Sequence, residues 1–176
     1  MSSQKIIYTI GHSTHTIKDF VALLHTSNIE FLIDVRSFPW SRKYPHFHKE
    51  SLAPVLEHEG IQYIHMRELW WRRKALPDSH NTAWRNISFR GYADYMETQE
   101  FRDGIERLEK IASHGTTAYM CSEAVWWRCH RSMISDFLLS RGWTVLHIMA
   151  LGKVIEHSYT APAYLIDGRL SYHAEE

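Results

Sequence analysis

The chain alternates short apolar runs with longer stretches in which apolar residues recur every three or four positions. Short apolar runs bounded by polar or turn residues are typical of buried β-strands. Five such runs predict strands at residues 5–10, 31–35, 61–66, 116–121 and 144–149. Their sequences are KIIYTI, FLIDV, IQYIHM, TTAYMC and TVLHIM.

Helical periodicity follows the first of these runs. One helix face is predicted to carry Ile17, Phe20, Val21 and Leu24. Thr16 precedes the face and Asp19 stands three residues further on, the spacing of a capping motif. The first strand and this helix therefore form one βα unit.

Further helices are predicted between the later strands. Ser51 is a candidate N-cap, Pro54 would fall in the tolerated first turn, and the inner face would hold Leu52, Val55 and Leu56. One or two helices are predicted to carry Tyr95, Phe101, Ile105, Leu108 and Ala112, and another Ile134, Phe137 and Leu138.

This alternation predicts an α/β fold with a mostly parallel sheet of about five strands, covered by helices on both faces in three layers. No internal repeat or linker divides the chain, so residues 1–176 are predicted to form a single domain. In such sheets, ligands bind at the carboxyl ends of the strands.

Composition narrows the function classes. The formal net charge is zero and the pI is about 7.2, which argues against a protein that coats nucleic acid through bulk charge. The apolar runs are too short for a membrane span and no secretory signal core is visible, so we expect a cytoplasmic protein without a membrane partner. Two cysteines do not make a disulfide framework.

The polar residues that follow the predicted strands are expected to converge on one edge of the sheet. Gly11, His12 and Ser13 follow the first strand, and Asp34 and Arg36 lie at the end of the second. Gly11 allows close backbone approach, and Ser13 can donate to an anion or cap the next helix.

The segment CSEAVWWRCHR, residues 121–131, holds both cysteines of the chain. Cys121 ends the fourth predicted strand, and Cys129, His130 and Arg131 stand where the next helix begins, which favours a thiolate or a bound anion. The Cys-x5-Arg spacing of a phosphatase loop is missed, because Arg128 comes one residue late. Burial would explain the cysteines, but Glu123 is harder to explain by packing alone.

A metal site is the alternative for this segment. It would use Cys121, Cys129 and His130, although two neighbouring helical residues do not easily face one ion and no CxxC pair supports them. No cofactor is specified by the sequence.

Arginines lie beside aromatic residues in the loops. Arg36 and Arg42 belong to a loop with Pro39 and Pro45, and Arg90 follows Phe89. Guanidinium groups bind phosphate or carboxylate through paired hydrogen bonds, and aromatic rings stack on bases. The pattern indicates an anionic partner, either a nucleotide-like small molecule or nucleic acid.

The segments IGHST, DVRSFPWSRKYPHF, FRGYADYM, CSEAVWWRCHR and HIMALGKVIEH occur together in the chain. In combination they resemble the bacterial and archaeal family known as domain of unknown function four-eight-eight, over about residues 6–172. The resemblance implies an α/β fold but no reaction. It also implies a motif set at His12, Ser13, Asp34, Arg36, Cys121, Glu123, Cys129, His130 and Arg131.

One segment departs from the family pattern. Leu69, Trp70, Trp71 and Arg72 stand where the family often has Leu-Gly-Gly-Arg. Two tryptophans add bulk and remove backbone freedom, which puts close ligand approach at this segment in doubt.

Three hypotheses follow. The first is an enzyme with Cys121 as nucleophile, Glu123 or His12 as acid or base, and Arg36, Arg42 and Arg131 as anion binders. The second is a nucleotide or nucleic-acid binding module without chemistry. The third is a structural cluster in which Glu123 and Arg131 tie the fourth strand to its helix.

Overall fold

A mixed six-stranded sheet forms the centre of the computed structural model, which describes residues 3–174. The strand order is β3-β2-β4-β1-β5-β6, with the first five strands parallel and β6 antiparallel to β5. The strands are β1 (Ile6–Gly11), β2 (Phe31–Asp34), β3 (Gln62–His65), β4 (Thr117–Cys121), β5 (Thr144–Ala150) and β6 (Lys153–Glu156). The predicted mostly parallel α/β fold is confirmed.

Five helices among residues 3–174 cover both faces of the sheet and bury its apolar side chains. They are α1 (Ile17–Thr26), α2 (Lys49–His58), α3 (Ile87–Met96), α4 (Gln99–Ala112) and α5 (Arg131–Ser140). One apolar cluster joins α1 and α2 to the first face, and another joins α3, α4 and α5 to the second. None of these helices is long and apolar enough to cross a bilayer.

The strand order creates a crevice between β1 and β4. The chain leaves β1 towards β2 on one side, whereas it leaves β4 towards β5 on the other side. Connections that depart in opposite directions open a space beyond the carboxyl ends of the two strands, where α/β proteins bind ligands. Gly11 and Cys121 are paired at this point.

The first helix forms as its sequence predicts. The Thr16 hydroxyl accepts a hydrogen bond from the Asp19 amide at 3.1 Å, and Phe20, Val21 and Leu24 are buried. The cap satisfies one of the amides left open at a helix start, so the βα unit begins at a fixed residue.

The second helix begins earlier than predicted. A 3-10 turn at Pro45–Phe47 leads into α2, so His48 is the N-cap and Ser51 lies inside the helix. Pro54 is consequently inside the helix rather than in its first turn. Leu52 and Leu56 are fully buried, but Val55, predicted to face inward, is 38% exposed.

The C-terminal part carries strands that the pattern does not predict. β6 is the exposed edge of the main sheet, and β7 (Tyr164–Ile166) pairs with β8 (Arg169–Ser171) in a separate hairpin. Short strands whose side chains face solvent lack the apolar run used to recognise the other five.

Candidate active site

A cavity of about 910 Å³ opens at the crevice between β1 and β4. Its walls come from the turn after β1, the loop after β2 and the segment between β4 and α5. The charged side chains that line it are Arg36, Arg72, Arg128 and Glu123. Arg36 is paired with the buried Asp34, so Arg72 and Arg128 against Glu123 leave the cavity a positive excess, which favours an anionic ligand.

Cys121 lies at the base of this cavity and receives several hydrogen bonds. Arg131 Nε donates to Cys121 Sγ at 3.0 Å, and the amide of Glu123 donates at 3.3 Å. Cys129 Sγ lies 3.0 Å from Cys121 Sγ, close enough for the Cys129 thiol to donate to a Cys121 thiolate. Both cysteines are free and buried.

The guanidinium of Arg131 is fully buried, with 0% of the residue exposed. Besides Cys121, it donates to the Thr9 hydroxyl at 3.1 Å and to the Glu123 carbonyl at 2.7 Å. None of these partners is a carboxylate. A buried charge without a counter-charge is costly, and arginine does not lose its proton. The Cys121 thiolate is the group in contact that can supply the negative charge.

The electrostatics of the pair agree with this assignment. Burial alone would raise the pKa of Cys121, but the hydrogen bond from Cys129 and the Arg131 charge outweigh it and lower the pKa from 9.0 to about 7. Burial, together with the hydrogen bond to Cys121, raises the pKa of Cys129 well above its ordinary value. Of the two thiols, Cys121 is therefore the more acidic.

The backbone of Glu123 holds the pair in place, and Gly11 makes room for it. A Cβ on Gly11 would lie 1.7 Å from the Glu123 carbonyl oxygen and 2.9 Å from Arg131 Nη2. Only a residue without a side chain allows β1 to approach this closely. The Glu123 side chain is exposed and lines the cavity, where its carboxylate is accessible to a ligand.

We expect Gly11→Ala to displace the Glu123 carbonyl from Arg131. Overpacking of this kind costs about 1–3 kcal/mol of unfolding free energy. The reactivity of Cys121 with a thiol reagent should fall at the same time, because its arginine partner moves. Urea unfolding and thiol labelling measure the two effects. Gly60→Ala is the control for labelling, because it strains a backbone at φ +78° and so lowers stability, while its added Cβ meets no atom within 4 Å. Unchanged labelling in Gly11→Ala would contradict this prediction.

His12 lines the cavity as a neutral ring. Its Nδ1 donates to the Ser13 carbonyl at 3.0 Å, which leaves Nε2 as an acceptor. Burial and the Arg36 charge lower the pKa of His12 to about 4. The ring stacks on Phe47 at 4.3 Å, and Ser13, also in the cavity wall, donates its amide to the Ser122 carbonyl.

Asp34 and Arg36 form a buried ion pair beside the cavity. Arg36 Nε and Nη2 donate to the two carboxylate oxygens of Asp34 at 2.9 and 2.7 Å, and Nη2 also donates to the Phe47 carbonyl. The Tyr63 hydroxyl donates to the same carboxylate. Arg36 itself lines the cavity, and its Nη1 bonds no other group in residues 3–174, so it can bind an anion.

The geometry of His130 does not favour the metal alternative. His130 Nε2 donates to the Val35 carbonyl at 3.0 Å, and its ring stacks on Trp71. Burial lowers the pKa of His130 to about 3. Cys121 is already bonded to Arg131, and no group of three or more His, Cys, Asp or Glu residues between 3 and 174 could hold a metal ion.

Three of the predicted anion binders lie outside the cavity wall: Arg42, Arg90 and Arg131, the last of which is fully buried behind Cys121. Arg42 is exposed, and Arg90 donates its Nε to the Trp84 carbonyl at 3.0 Å. Neither lines the cavity, whereas Arg72 and Arg128, which the sequence did not single out as binders, do. An arginine next to an aromatic residue in a loop is a common pattern, so the sequence alone does not distinguish the arginines that line the cavity from those that do not.

Aromatic side chains form the outer part of the cavity wall. Phe38 and Trp40 are 74% and 59% exposed, and Tyr44 and Trp71 line the cavity further in. Trp71 is one of the residues that depart from the Leu-Gly-Gly-Arg pattern, and it provides wall surface rather than close backbone approach. Exposed rings of this kind can stack on a planar ligand.

Comparison with known proteins identifies the family of this chain. The chain belongs to the family described as domain of unknown function DUF488, which matches residues 16–138. Among curated proteins and among solved structures, no match is found.

Proposed function

We propose that the protein is an enzyme in which the Cys121 thiolate attacks an anionic, nucleotide-like substrate held in the cavity. The observation that carries the proposal is the contact between Cys121 Sγ and a fully buried arginine that has no carboxylate partner. A thiolate is the nucleophilic form of cysteine, and a neighbouring cation keeps it available near neutral pH.

The other cavity residues supply binding and proton transfer. Arg36 and Arg128 bind the anionic group, and Trp40 stacks on the planar part of the ligand. In the covalent step, the sulfur lone pair forms a bond to an electrophilic atom and the leaving group departs with its bonding electrons. Glu123 is the cavity carboxyl that can exchange a proton with that group. His12, whose pKa is about 4, accepts a hydrogen bond rather than carrying a proton near neutral pH.

A binding module without chemistry is the second candidate. The exposure of Phe38 and Trp40 favours it, because rings presented to solvent serve base stacking with or without catalysis. The two candidates differ in the role of Cys121. A binding module does not require the thiol. If the protein is an enzyme, the Cys121→Ala variant should lose the reaction but still bind the ligand.

We expect adenosine 5′-monophosphate to raise the melting temperature more than adenosine or inorganic phosphate alone does. It should also slow labelling of Cys121 by iodoacetamide, because both occupy one cavity. Arg128→Gln should reduce the melting shift, and the shift should weaken as salt rises. Arg102→Gln, an exposed arginine on α4 outside the cavity, is the matched control.

Two results would count against the proposal. If none of the three probes shifts the melting temperature or protects Cys121, the cavity does not bind nucleotide-like anions. If Arg102→Gln weakens the shift as much as Arg128→Gln does, the interaction is with surface charge in general.

A further inference from the structure

A chain of hydrogen bonds extends from Arg131 into the interior. Arg131 Nη1 donates to Thr9 Oγ1 at 3.1 Å, and Thr9 Oγ1 is bonded to His147 Nδ1 at 2.6 Å. His147 Nε2 lies 2.9 Å from His157 Nδ1, and His157 Nε2 lies 2.8 Å from Asp136 Oδ1. Thr9, His147, His157 and Asp136 form this relay, which the proposed reaction does not use directly.

The hydrogen bonds of the relay all run in one direction, because Arg131 at one end can only donate and the Asp136 carboxylate at the other end can only accept. The Asp136 carboxylate accepts, so His157 Nε2 is a donor and the Nδ1 of a neutral His157 accepts from His147 Nε2. His147 Nδ1 then accepts from the Thr9 hydroxyl, whose oxygen accepts from Arg131. Every bond therefore points from the guanidinium to the carboxylate. Asp136 also accepts from Thr160 and from the Tyr172 hydroxyl.

The relay is closed to solvent. Thr9, His147 and Asp136 are fully buried and His157 is 3% exposed, and the Trp126 ring stacks on His147 at 4.5 Å. Burial is the largest of the causes that lower the pKa of His147 to about 2, and the nearby Arg131 charge acts in the same direction, which keeps the His147 ring neutral. Water cannot readily replace a lost partner here, so removal of one member leaves its neighbours unsatisfied.

We propose that the relay positions the Arg131 guanidinium against Cys121 Sγ. The role of the relay rests on the proposed function of Cys121 as a nucleophile. Thr9 Oγ1 holds Arg131 Nη1 while Nε of the same guanidinium faces Cys121 Sγ, and each further member of the relay fixes the one before it. Thr9, His147, His157 and Asp136 are therefore positioning residues.

The pH dependence of Cys121 labelling by iodoacetamide tests this role. All variants carry Cys129→Ser, which leaves Cys121 as the single thiol and keeps a donor beside it. Thr9→Val, His147→Gln and Asp136→Asn should each raise the apparent pKa of Cys121, with Thr9→Val raising it by about one unit, a roughly tenfold loss of thiolate at low pH. Thr9→Ser retains the hydroxyl and should restore the parent value.

Tyr119→Phe is the structural control. It removes a buried hydrogen bond between β4 and Ser135 of α5 without touching the relay. Lower thermal stability with an unchanged Cys121 pKa is expected for it. The proposal is overturned if Tyr119→Phe raises the pKa as much as Thr9→Val does, or if the His147 and Asp136 variants leave it unchanged. A lower pKa in Asp136→Asn would also overturn it, because that is the effect of removing a negative charge without moving Arg131.

The assay separates this role from the proposed function. A parent protein whose Cys121 titrates near pH 9 contradicts the nucleophile itself. A parent that titrates near pH 7 and does not respond to relay variants contradicts the relay alone.

Discussion

Acidification from pH 7 to pH 5 is expected to lower the free energy of unfolding by about 5 kcal/mol, through three buried histidines. Burial, the largest cause in each case, lowers the pKa of His12 to about 4, of His130 to about 3 and of His147 to about 2. An unfolded histidine has a pKa of about 6.5. Between these values the unfolded chain binds more protons than the folded chain.

The sign of the effect follows from that difference. Stability rises with pH wherever the unfolded state binds more protons, so the contribution of each neutral histidine is lost as the pH falls below about 6.5. The loss continues until the folded histidines themselves titrate, between about pH 4 and pH 2. At pH 5 each histidine lowers the free energy of unfolding by about 2 kcal/mol. The sum over the three histidines approaches the whole stability of a small domain.

Urea unfolding at pH 7 and pH 5, followed by tryptophan fluorescence, measures this loss. His12→Asn should show a smaller pH dependence than the parent, because one titrating group is removed. His58→Gln, at an exposed position of α2, should retain the parent dependence. A stability that is equal at the two pH values would contradict the neutral, buried state of these rings.

Replacement of Arg36 by methionine is expected to cost about 3–5 kcal/mol of unfolding free energy. Asp34 is fully buried, and Arg36 makes two of its side-chain hydrogen bonds. Without the guanidinium, a carboxylate remains in the interior with the Tyr63 hydroxyl and one backbone amide as its donors. The large cost reflects this uncompensated charge rather than the strength of the pair itself.

The double variant Asp34→Leu with Arg36→Met provides a check on that reason. It should be more stable than Arg36→Met alone, because no charge is left buried. Arg107→Met breaks the exposed pair with Glu68 and should cost at most about 1 kcal/mol. Urea unfolding of the three proteins decides the matter, and equal costs for Arg36→Met and Arg107→Met would contradict the account of the buried pair.

The sequence predicts the main sheet well because its central strands are buried on both faces. The five apolar runs all became parallel strands, and Thr16 caps its helix as the spacing indicates. The predicted start of α2 was wrong because a 3-10 turn, rather than a serine cap, leads into the helix. Turn geometry of this kind depends on packing of the loop, which hydrophobic periodicity does not describe.

The sequence predicts the part of the candidate site that lies at the ends of the strands. Gly11, His12, Arg36 and Cys121 meet because each lies at the carboxyl end of a strand, and the rule for parallel sheets brings them together. The relay was missed because its members are far apart in sequence. A signal was present in Thr9 and His147, polar residues inside apolar strands that turn out to be paired across β1 and β5.

The central claim, that Cys121 ionises near neutral pH, is tested most directly by its reaction rate with iodoacetamide between pH 6 and pH 10. The measurement uses the Cys129→Ser protein, with circular dichroism to confirm the fold at each pH. We predict a rate that reaches half of its maximum near pH 7, as the Cys121 pKa of about 7 requires. A midpoint near pH 9, the ordinary value for a cysteine thiol, would contradict the thiolate and the catalytic role assigned to it.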